Sequence, residues 1–459
     1  MKNSFYSLAF LAALFTSALF TNPVFAQWAQ VQSPNNGNNK NFIRQINGSS
    51  SDNIWAVGHF QDDNNKYMNL LLKWDGAQWQ IVNAPNPSTS WNDLFSVSTL
   101  SNGEAWAVGV YNPLGGASQN EILHFDGSSW SIADSPFIQG GSSLHGILSF
   151  ETDNIWAVGL RQNPGPYGPI LAYCLHYDGS DWNELPVPPV GTRQNCFYDI
   201  DGNSPDNLWA VGYWGNSLGD FNHLVMHYNG SEWQHIPTPY DLGIGSLDDV
   251  EVIDNDNVWA IGNLLTGGGI IIHWNGSEWT SYEGVGYYSD LAVLAADDIW
   301  ALGSVISHWD GNSWNVVDEL GEYSNASLAS TYVSANAIWG AGWQNGSNGA
   351  YETLFLKMDN VISDISSQEG NSNSSVIAYQ NKPNPVTDNS IIEFELETPG
   401  NIEFVLYDIL GTEISNKPLG FLASGRHSYN FKSEYPTGIY FYQFKKESYA
   451  SVIRKLIVN

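Results

Sequence analysis

The chain has 459 residues, 20 of them tryptophan, and a formal net charge of −31. It is too long for one ordinary core, so two or three domains are expected. The acidity excludes phosphate backbones and anionic membrane surfaces as partners. The charge is uneven: residues 27–374 hold seven Lys+Arg against thirty-eight Asp+Glu, and residues 375–459 hold eight against nine.

In chain order, residues 1–26 read as a secretory signal peptide. Lys2 gives the positive end, Phe5 to Phe20 the apolar run, and Val24-Phe25-Ala26 the cleavage site before Gln27. The run is shorter than the ~20 apolar residues a span needs, and no other segment approaches it, so no transmembrane segment is expected.

Residues 27–360 are repetitive. "DNIWAVG" at Trp55 returns at Trp156 and Trp209, with looser copies at Trp106, Trp259, Trp300 and Trp339. The spacings of 51, 50, 53, 50, 41 and 39 suit propeller blades, each a four-stranded antiparallel sheet. A second phrase of the form "HWDGxxW" ends at Trp79, Trp130, Trp182, Trp233, Trp279 and Trp314, and its Asp/Asn-Gly pair predicts a tight hairpin. After Trp339 only a third strand, Leu354 to Met358, follows. "QWAQVQSP" (Gln27 to Pro34) resembles "QWQIVNAP" (Gln78 to Pro85) and would supply the missing fourth strand. The expected fold is therefore all-β, a seven-bladed β-propeller closed by its N-terminal strand, because closure removes exposed sheet edges.

Positions that recur in every repeat read as scaffold. These are the phrase tryptophans; the slot of His124, His176, His227, His273 and His308, filled by Lys73 and Lys357 elsewhere; and Asp52, Asp153, Asp206, Asp256 and Asp297 in short turns. Function is expected where repeats differ, on the face carrying the variable loops. There Tyr67, Trp91, Tyr111, Tyr167, Trp214, Tyr240 and Trp343 are candidate sugar platforms, with Phe221, Tyr287 and Tyr288 beside them. Cys174 and Cys196 could join neighbouring repeats as a disulfide in an oxidising compartment, or be two free buried thiols. No catalytic residue is assigned. Asp62-Asp63 and Asp248-Asp249 are the acid pairs on the variable face, and no hydrolase or P-loop motif is present. Asp199 to Asn203 faintly resembles a calcium loop but lacks the remaining ligands, so no metal or cofactor is expected.

Residues 361–378 are Ser/Asn-rich and read as a linker. Residues 379–459 carry strand-like runs at Ile391–Leu396, Ile402–Tyr407, His427–Phe431, Gly438–Phe444 and Ser451–Val458, which suggest a small β-sandwich. "NPVTD" (Asn384 to Asp388), "FVLYDILGTEI" (Phe404 to Ile414), "SGRHSYNF" (Ser424 to Phe431), "PTGIYFYQF" (Pro436 to Phe444) and "RKLIV" (Arg454 to Val458) resemble the type A C-terminal sorting domain of type IX secretion substrates of Bacteroidetes. The resemblance implies export across an outer membrane by the type IX machinery, cleavage near the linker, and then surface anchoring or release. The propeller repeats are similar in their Trp-Gly rhythm to tectonin-like and other Trp-rich lectin propellers.

These readings together describe an exported, surface-anchored or secreted monomeric binding propeller, with a glycan or surface polymer as ligand. The alternatives are a secreted polysaccharide-degrading enzyme and a protein-binding adhesion scaffold. Lectin use predicts one aromatic–amide cluster in several blades, enzymatic use one lopsided site with two close carboxylates, and a protein interface a broad apolar patch.

Overall fold

The computed structural model describes residues 28–459 apart from 166–167, 240–241, 285, 319, 321–324, 335–336, 347–348, 360–375, 379–380, 382–385, 387–388, 397, 408–412, 436–437, 447–448, 451–453 and 459. The signal peptide reading falls outside the described residues, as does most of the linker. Two compact units are present, one over residues 28–367 and one containing residues 368–459.

The first unit is built of four-stranded antiparallel sheets. Sheet 1 holds Asn41–Ser50, Asn53–Gln61, Tyr67–Trp74 and Trp79–Val82; sheet 2 holds Trp91–Thr99, Ala105–Asn112, Gln119–Phe125 and Trp130–Ile132. A single pairing, Tyr67 opposite Trp91, links these two. Sheet 3 is Ser142–Glu151, Asn154–Gln162, Ile170–Tyr177 and Trp182–Leu185, and sheet 4 is Gln194–Ser204, Asn207–Gly215, Asn222–Tyr228 and Trp233–His235. Sheet 5 is Gly245–Asp254, Asn257–Leu264, Gly269–Trp274 and Trp279–Glu283, and sheet 6 is Tyr288–Ala295, Asp298–Gly303, Ile306–Trp309 and Trp314–Asp318. Sheet 7 takes Ala326–Ser334, Ala337–Asn345 and Tyr351–Asp359, and its fourth strand is Ala29–Val31, with Ala29 opposite Lys357.

The repeated phrases explain these sheets. In each "HWDGxxW" hairpin the Asp or Asn side chain accepts the amides two and three residues on, as Asp126 does from Ser128 (2.8 Å) and Ser129 (2.9 Å), while Gly127 takes φ +90°. The phrase histidines stack on the phrase tryptophans, with His273 4.2 Å from Trp259. His273 Nε2 and Trp259 Nε1 both reach Asn257 Oδ1, at 2.8 and 3.1 Å. Where Lys replaces His, its ammonium lies over the ring: Lys73 on Trp55 at 5.1 Å and Lys357 on Trp339 at 5.3 Å. The scaffold reading of this slot is thus its role. The tryptophans then pack between sheets, as Trp55 does against Phe125 and Trp130 of the next sheet.

The glycine of each phrase has a separate cause. Every first strand slips register by one residue in its first half, for example between Phe197 and Asp199 or Leu247 and Asp249. The phrase glycine sits across from this bulge, where a Cβ on Gly212 would lie 2.0 Å from the Cys196 carbonyl oxygen. Only glycine allows that approach.

In six of the seven sheets the residue after the bulge ties the sheet to the next. Gln45 accepts the Val97 amide (2.6 Å), Ser96 that of Ile147 (3.2 Å), Asp199 that of Val250 (3.2 Å), Asp249 that of Leu291 (2.8 Å) and Asp290 that of Thr331 (3.0 Å). Ser330 of sheet 7 accepts the Ile46 amide of sheet 1 at 3.2 Å. Gly146 occupies the equivalent position in sheet 3 and has no side chain to contribute. Sheets 7 and 1 also share a buried cluster of Trp339, Phe355, Ile43, Trp74 and Trp79.

The second unit has a three-stranded sheet (Val376–Ala378, Asn389–Leu396, Gly425–Lys432) and a five-stranded one (Gly400–Tyr407, Glu413–Leu422, Gly438–Lys446, Tyr449–Ala450, Arg454–Val458). Phe394 and Phe431 of the first meet Phe404, Tyr442 and Phe444 of the second in one core. Val376–Ala378 lies inside the expected linker but forms a strand, because Val376 and Ala378 are buried in this core. Glu413–Leu422 is a strand the sequence reading left out.

The structure decides between the two cysteine readings and places one acidic run. Cys174 and Cys196 are free thiols. Cys174 is on a third strand, packed between sheets 3 and 4, whereas Cys196 is on a first strand with Sγ 4.0 Å from His145 Nδ1. Burial pushes the Cys174 thiol up to about 12. Asp199 to Asn203 lies within the strand Gln194–Ser204, where Asp199 and Asp201 accept the Val250 and Val252 amides of sheet 5.

Candidate ligand-binding face

The variable loops follow the second and fourth strands of each sheet, so they share one edge of the first unit with the start of every first and third strand. Tyr67, Trp91, Tyr111, Trp214 and Trp343 all lie at this edge and are half-buried. Tyr167 and Tyr240 fall outside the described residues. Tyr288 is buried and bonds Ser307 Oγ at 2.8 Å, so it is core, while Tyr287 is exposed.

The structure brings together Trp343, Tyr67 and Trp91, and adds rings the sequence reading did not select. Trp343 meets Tyr351 at 4.6 Å, Tyr351 meets Phe42 at 4.9 Å, Phe42 meets His59 at 4.8 Å and His59 meets Tyr67 at 5.0 Å. The Tyr67–Trp91 pairing continues this strip into sheet 2. It therefore runs across sheets 7, 1 and 2. Tyr111 lies on the strand paired with that of Trp91, opposite Asn92, while Trp214 packs partly on the core between sheets 3 and 4.

Beside the strip lies a built polar group. His59 Nδ1 is 2.6 Å from Asp93 Oδ1, and Arg44 Nη2 donates to Asp93 Oδ2 at 3.0 Å. His59 and Asp93 are buried, while the Arg44 side chain is 44% exposed. Asn69 bonds Glu121, whose other oxygen has no partner and whose carboxyl is held protonated well above its ordinary range by burial.

The bulge residues of the first strands form a second series. They are Arg44, Phe95, His145, Tyr198, Asp248, Ser289 and Ala329, one per sheet, and all are at least partly exposed. Arg44 lies 5.5 Å from the Phe95 ring, Phe95 5.1 Å from His145, and His145 stacks on Tyr198 at 5.6 Å. Burial, with Arg44 nearby, lowers His145 to about 4, so it is neutral at pH 7. Burial raises Asp248 to about 6 despite hydrogen bonds from Ser246 and Asn263. No type of residue repeats in this series, in contrast to the scaffold positions.

Of the acid pairs, Asp62 caps its own loop, accepting the Asn64 and Lys66 amides at 2.8 Å each, which lowers its pKa. Asp249 is turned between sheets and bonds the Leu291 amide. Neither pair presents two carboxylates to one open site. Among the described residues no group of three or more His, Cys, Asp or Glu is arranged to hold a metal ion.

Phe42, Arg44, His59 and Asp93 were missed because each sits inside a strand rather than a loop. Their signal was present: aligned on the phrase tryptophans, these are positions where the repeats disagree. The loop tips carry a different feature, with Leu114, Phe137 and Leu218 exposed by 82%, 75% and 69%.

Comparison with known proteins identifies one end of the chain. The model of the secretion system C-terminal sorting domain matches residues 382–459. No curated protein matches the chain. Among solved structures, the WD40 β-propeller domain of Doa1 aligns with a TM-score of 0.45 and 12% identity, over 72% of this chain and 97% of that one. A protein of unknown function from Dyadobacter fermentans aligns with a TM-score of 0.42 and 13% identity, over 58% and 93%. The six-bladed fucose-binding lectin of Aleuria aurantia aligns with a TM-score of 0.37 and 12% identity, over 57% and 90%. At TM-scores below 0.5 these likenesses carry no argument about ligand. The sorting domain marks the chain as exported, to the cell surface or beyond. Among the described residues no helix is long and apolar enough to cross a membrane.

Proposed function

We propose that this exported chain is a seven-bladed β-propeller, closed by its N-terminal strand, that binds a glycan or similar surface polymer on its variable face. The pairing of Ala29–Val31 with the last sheet and the Ser330–Ile46 bond between sheets 7 and 1 support closure. Residues 27–360 then form the binding domain and residues 379–459, extended back to Val376, the delivery domain.

One observation carries the glycan reading: the half-buried strip of Trp343, Tyr351, Phe42, Tyr67 and Trp91. Aromatic rings of this kind stack on the apolar faces of sugars, and ring contacts are worth about 0.5–1.5 kcal/mol beyond area. Asn39, Gln61 and Gln344 lie in the same edge loops and strand ends, where the Asn39 and Gln61 amides brace the loop at the Asp62 and Asn65 carbonyls. Among the described residues the strip occurs once, so a single lopsided site fits better than a multivalent lectin.

The apolar tips Leu114, Phe137 and Leu218 favour a second reading, a protein-binding adhesion scaffold. The deciding experiment is a glycan and polysaccharide array probed with the purified protein, in calcium and in chelator. Selective binding that weakens at least tenfold in Trp343→Ala and Tyr67→Ala is expected. A blank array in both conditions refutes the carbohydrate reading and favours adhesion; product release from a bound glycan makes it an enzyme.

A further inference from the structure

We infer that the polymer taken by this face is anionic, a polysaccharide bearing carboxylate or sulfate groups, and that Lys40 and Arg44 read its charge. The inference rests on the glycan reading above and adds the ligand's charge, which nothing in the bulk composition suggests.

The starting point is the scarcity of cations. Residues 27–374 hold seven Lys+Arg: Lys40, Arg44, Lys66, Lys73, Arg161, Arg193 and Lys357. Lys73 and Lys357 are spent on the scaffold tryptophans. Arg161 pairs with Glu184 at 3.1 Å. Lys66 stands in the loop capped by Asp62. Arg193 lies just before sheet 4, its amide donating to the Gly215 carbonyl at 3.0 Å. Lys40 and Arg44 are the two that flank Phe42, Lys40 just before the strand Asn41–Ser50 and Arg44 within it.

Their placement is ordered by that strand. From residue 40 to 44 burial alternates: Asn41 and Ile43 are buried, while Lys40 and Phe42 are half-buried and Arg44 is exposed. Side chains of an extended chain point alternately to opposite faces. Lys40 and Phe42 both meet Tyr351 of sheet 7, while Arg44, at the bulge, meets Asp93 and Phe95 of sheet 2. The two cations therefore lie to either side of Phe42, about 13 Å apart along the chain at ~3.3 Å per residue. Phe42 is the centre of the aromatic strip. Lys40 Nζ lies 5.5 Å from the Tyr351 ring centre and Arg44 5.5 Å from that of Phe95. A sugar stacked on Phe42 would have a cation on either side.

Arg44 is also pre-set. Asp93, itself held by His59, fixes the guanidinium through one nitrogen, and a guanidinium has five donors. An acidic partner beneath an exposed arginine orients it and costs little of its capacity to bind a carboxylate or sulfate in two-point fashion. The rest of the unit repels anions, and exposed charges act over only ~8 Å at physiological salt. An anionic chain would thus be tolerated at this ledge and excluded elsewhere, which gives direction as well as affinity.

The test measures binding of the whole protein to four immobilised polymers: polygalacturonate, dextran sulfate, dextran and neutral galactan. Lys40→Gln and Arg44→Gln are compared with the parent, at low and physiological salt. Lys40→Gln leaves Asp93 untouched, so a folding defect in Arg44→Gln would not blunt the test. The expected result is binding to at least one anionic polymer, weakened about tenfold or more by each substitution and by salt, with neutral polymers bound at least tenfold less well. Preference for polygalacturonate would assign carboxylate, and preference for dextran sulfate would assign sulfate. Equal binding of neutral and anionic polymers, or anionic binding indifferent to both substitutions, overturns the inference and leaves the glycan reading standing. Failure of all four polymers together with a blank glycan array removes both.

Discussion

Asp249→Asn should make the protein more stable at alkaline pH and leave it nearly unchanged near pH 4. Asp199, Asp249 and Asp290 occupy the same post-bulge position in three successive sheets, and each accepts an amide of the next sheet. Burial raises all three, Asp199 and Asp290 to about 7 and Asp249 well above its ordinary value; the neighbouring carboxyls push Asp249 further. A carboxyl whose folded pKa is raised contributes stability that is full below its unfolded pKa and is lost as pH rises through the folded value. At about 1.4 kcal/mol per pH unit, moving one carboxyl from 3.8 to about 7 amounts to about 4 kcal/mol lost between pH 4 and pH 7. The three share protons, so their joint effect is of that order and not three times it.

Asparagine keeps a carbonyl for the Leu291 amide and cannot ionise, so at pH 8 it should recover part of that joint effect and raise Tm by a few degrees, at ~1–2 °C per kcal/mol for a unit this large. His145 and His223 act oppositely: burial lowers both to about 4, so the stability they contribute is present above pH 6.5 and lost as pH falls towards 4. The diagnostic is therefore the difference between variant and parent, followed by tryptophan fluorescence in thermal melts from pH 4 to 9. A difference that stays constant across this range would refute the buried-acid argument.

Gly212→Ala should lower Tm steeply or prevent folding, since its Cβ would meet the Cys196 carbonyl oxygen, whereas Gly127→Ala, open on all sides but at φ +90°, should cost only about 1 kcal/mol by chemical denaturation. Cys174 and Cys196 should both stay unreactive to a thiol reagent in the native protein and both react after unfolding, with reductant leaving Tm unchanged; a Tm fall on reduction would contradict free thiols. Truncation after residue 381 should leave the protein inside the outer membrane of a type IX-competent host, measured by cell fractionation, while the propeller remains folded.

What could be read from the sequence was what the fold repeats. The tryptophans, the His/Lys slot, the hairpin Asp-Gly pairs and the complementary N-terminal strand each recur because every sheet solves the same packing problem. A position that recurs announces its geometry. Arg44, Phe95, His145, Tyr198 and Asp248 share one backbone position, yet no two are alike, so no phrase marks them. Loops draw the functional expectation because they vary, but the bulge varies too, and it lies inside a strand. The bulge lifts one side chain per sheet out of the repeated core clusters to a partly exposed position, where Arg44, Phe95, His145 and Tyr198 meet one another from sheet to sheet. Outside the repeated core the residue can differ from sheet to sheet, and its exposed part is available to a ligand. The phrase glycine is the sequence trace of this arrangement, since its missing Cβ is what admits the bulge. Counting back from each "WAVG" glycine across its hairpin finds the bulge residue without a structure. In this chain that count leads to Arg44, the exposed cation at the centre of the anionic-polymer proposal.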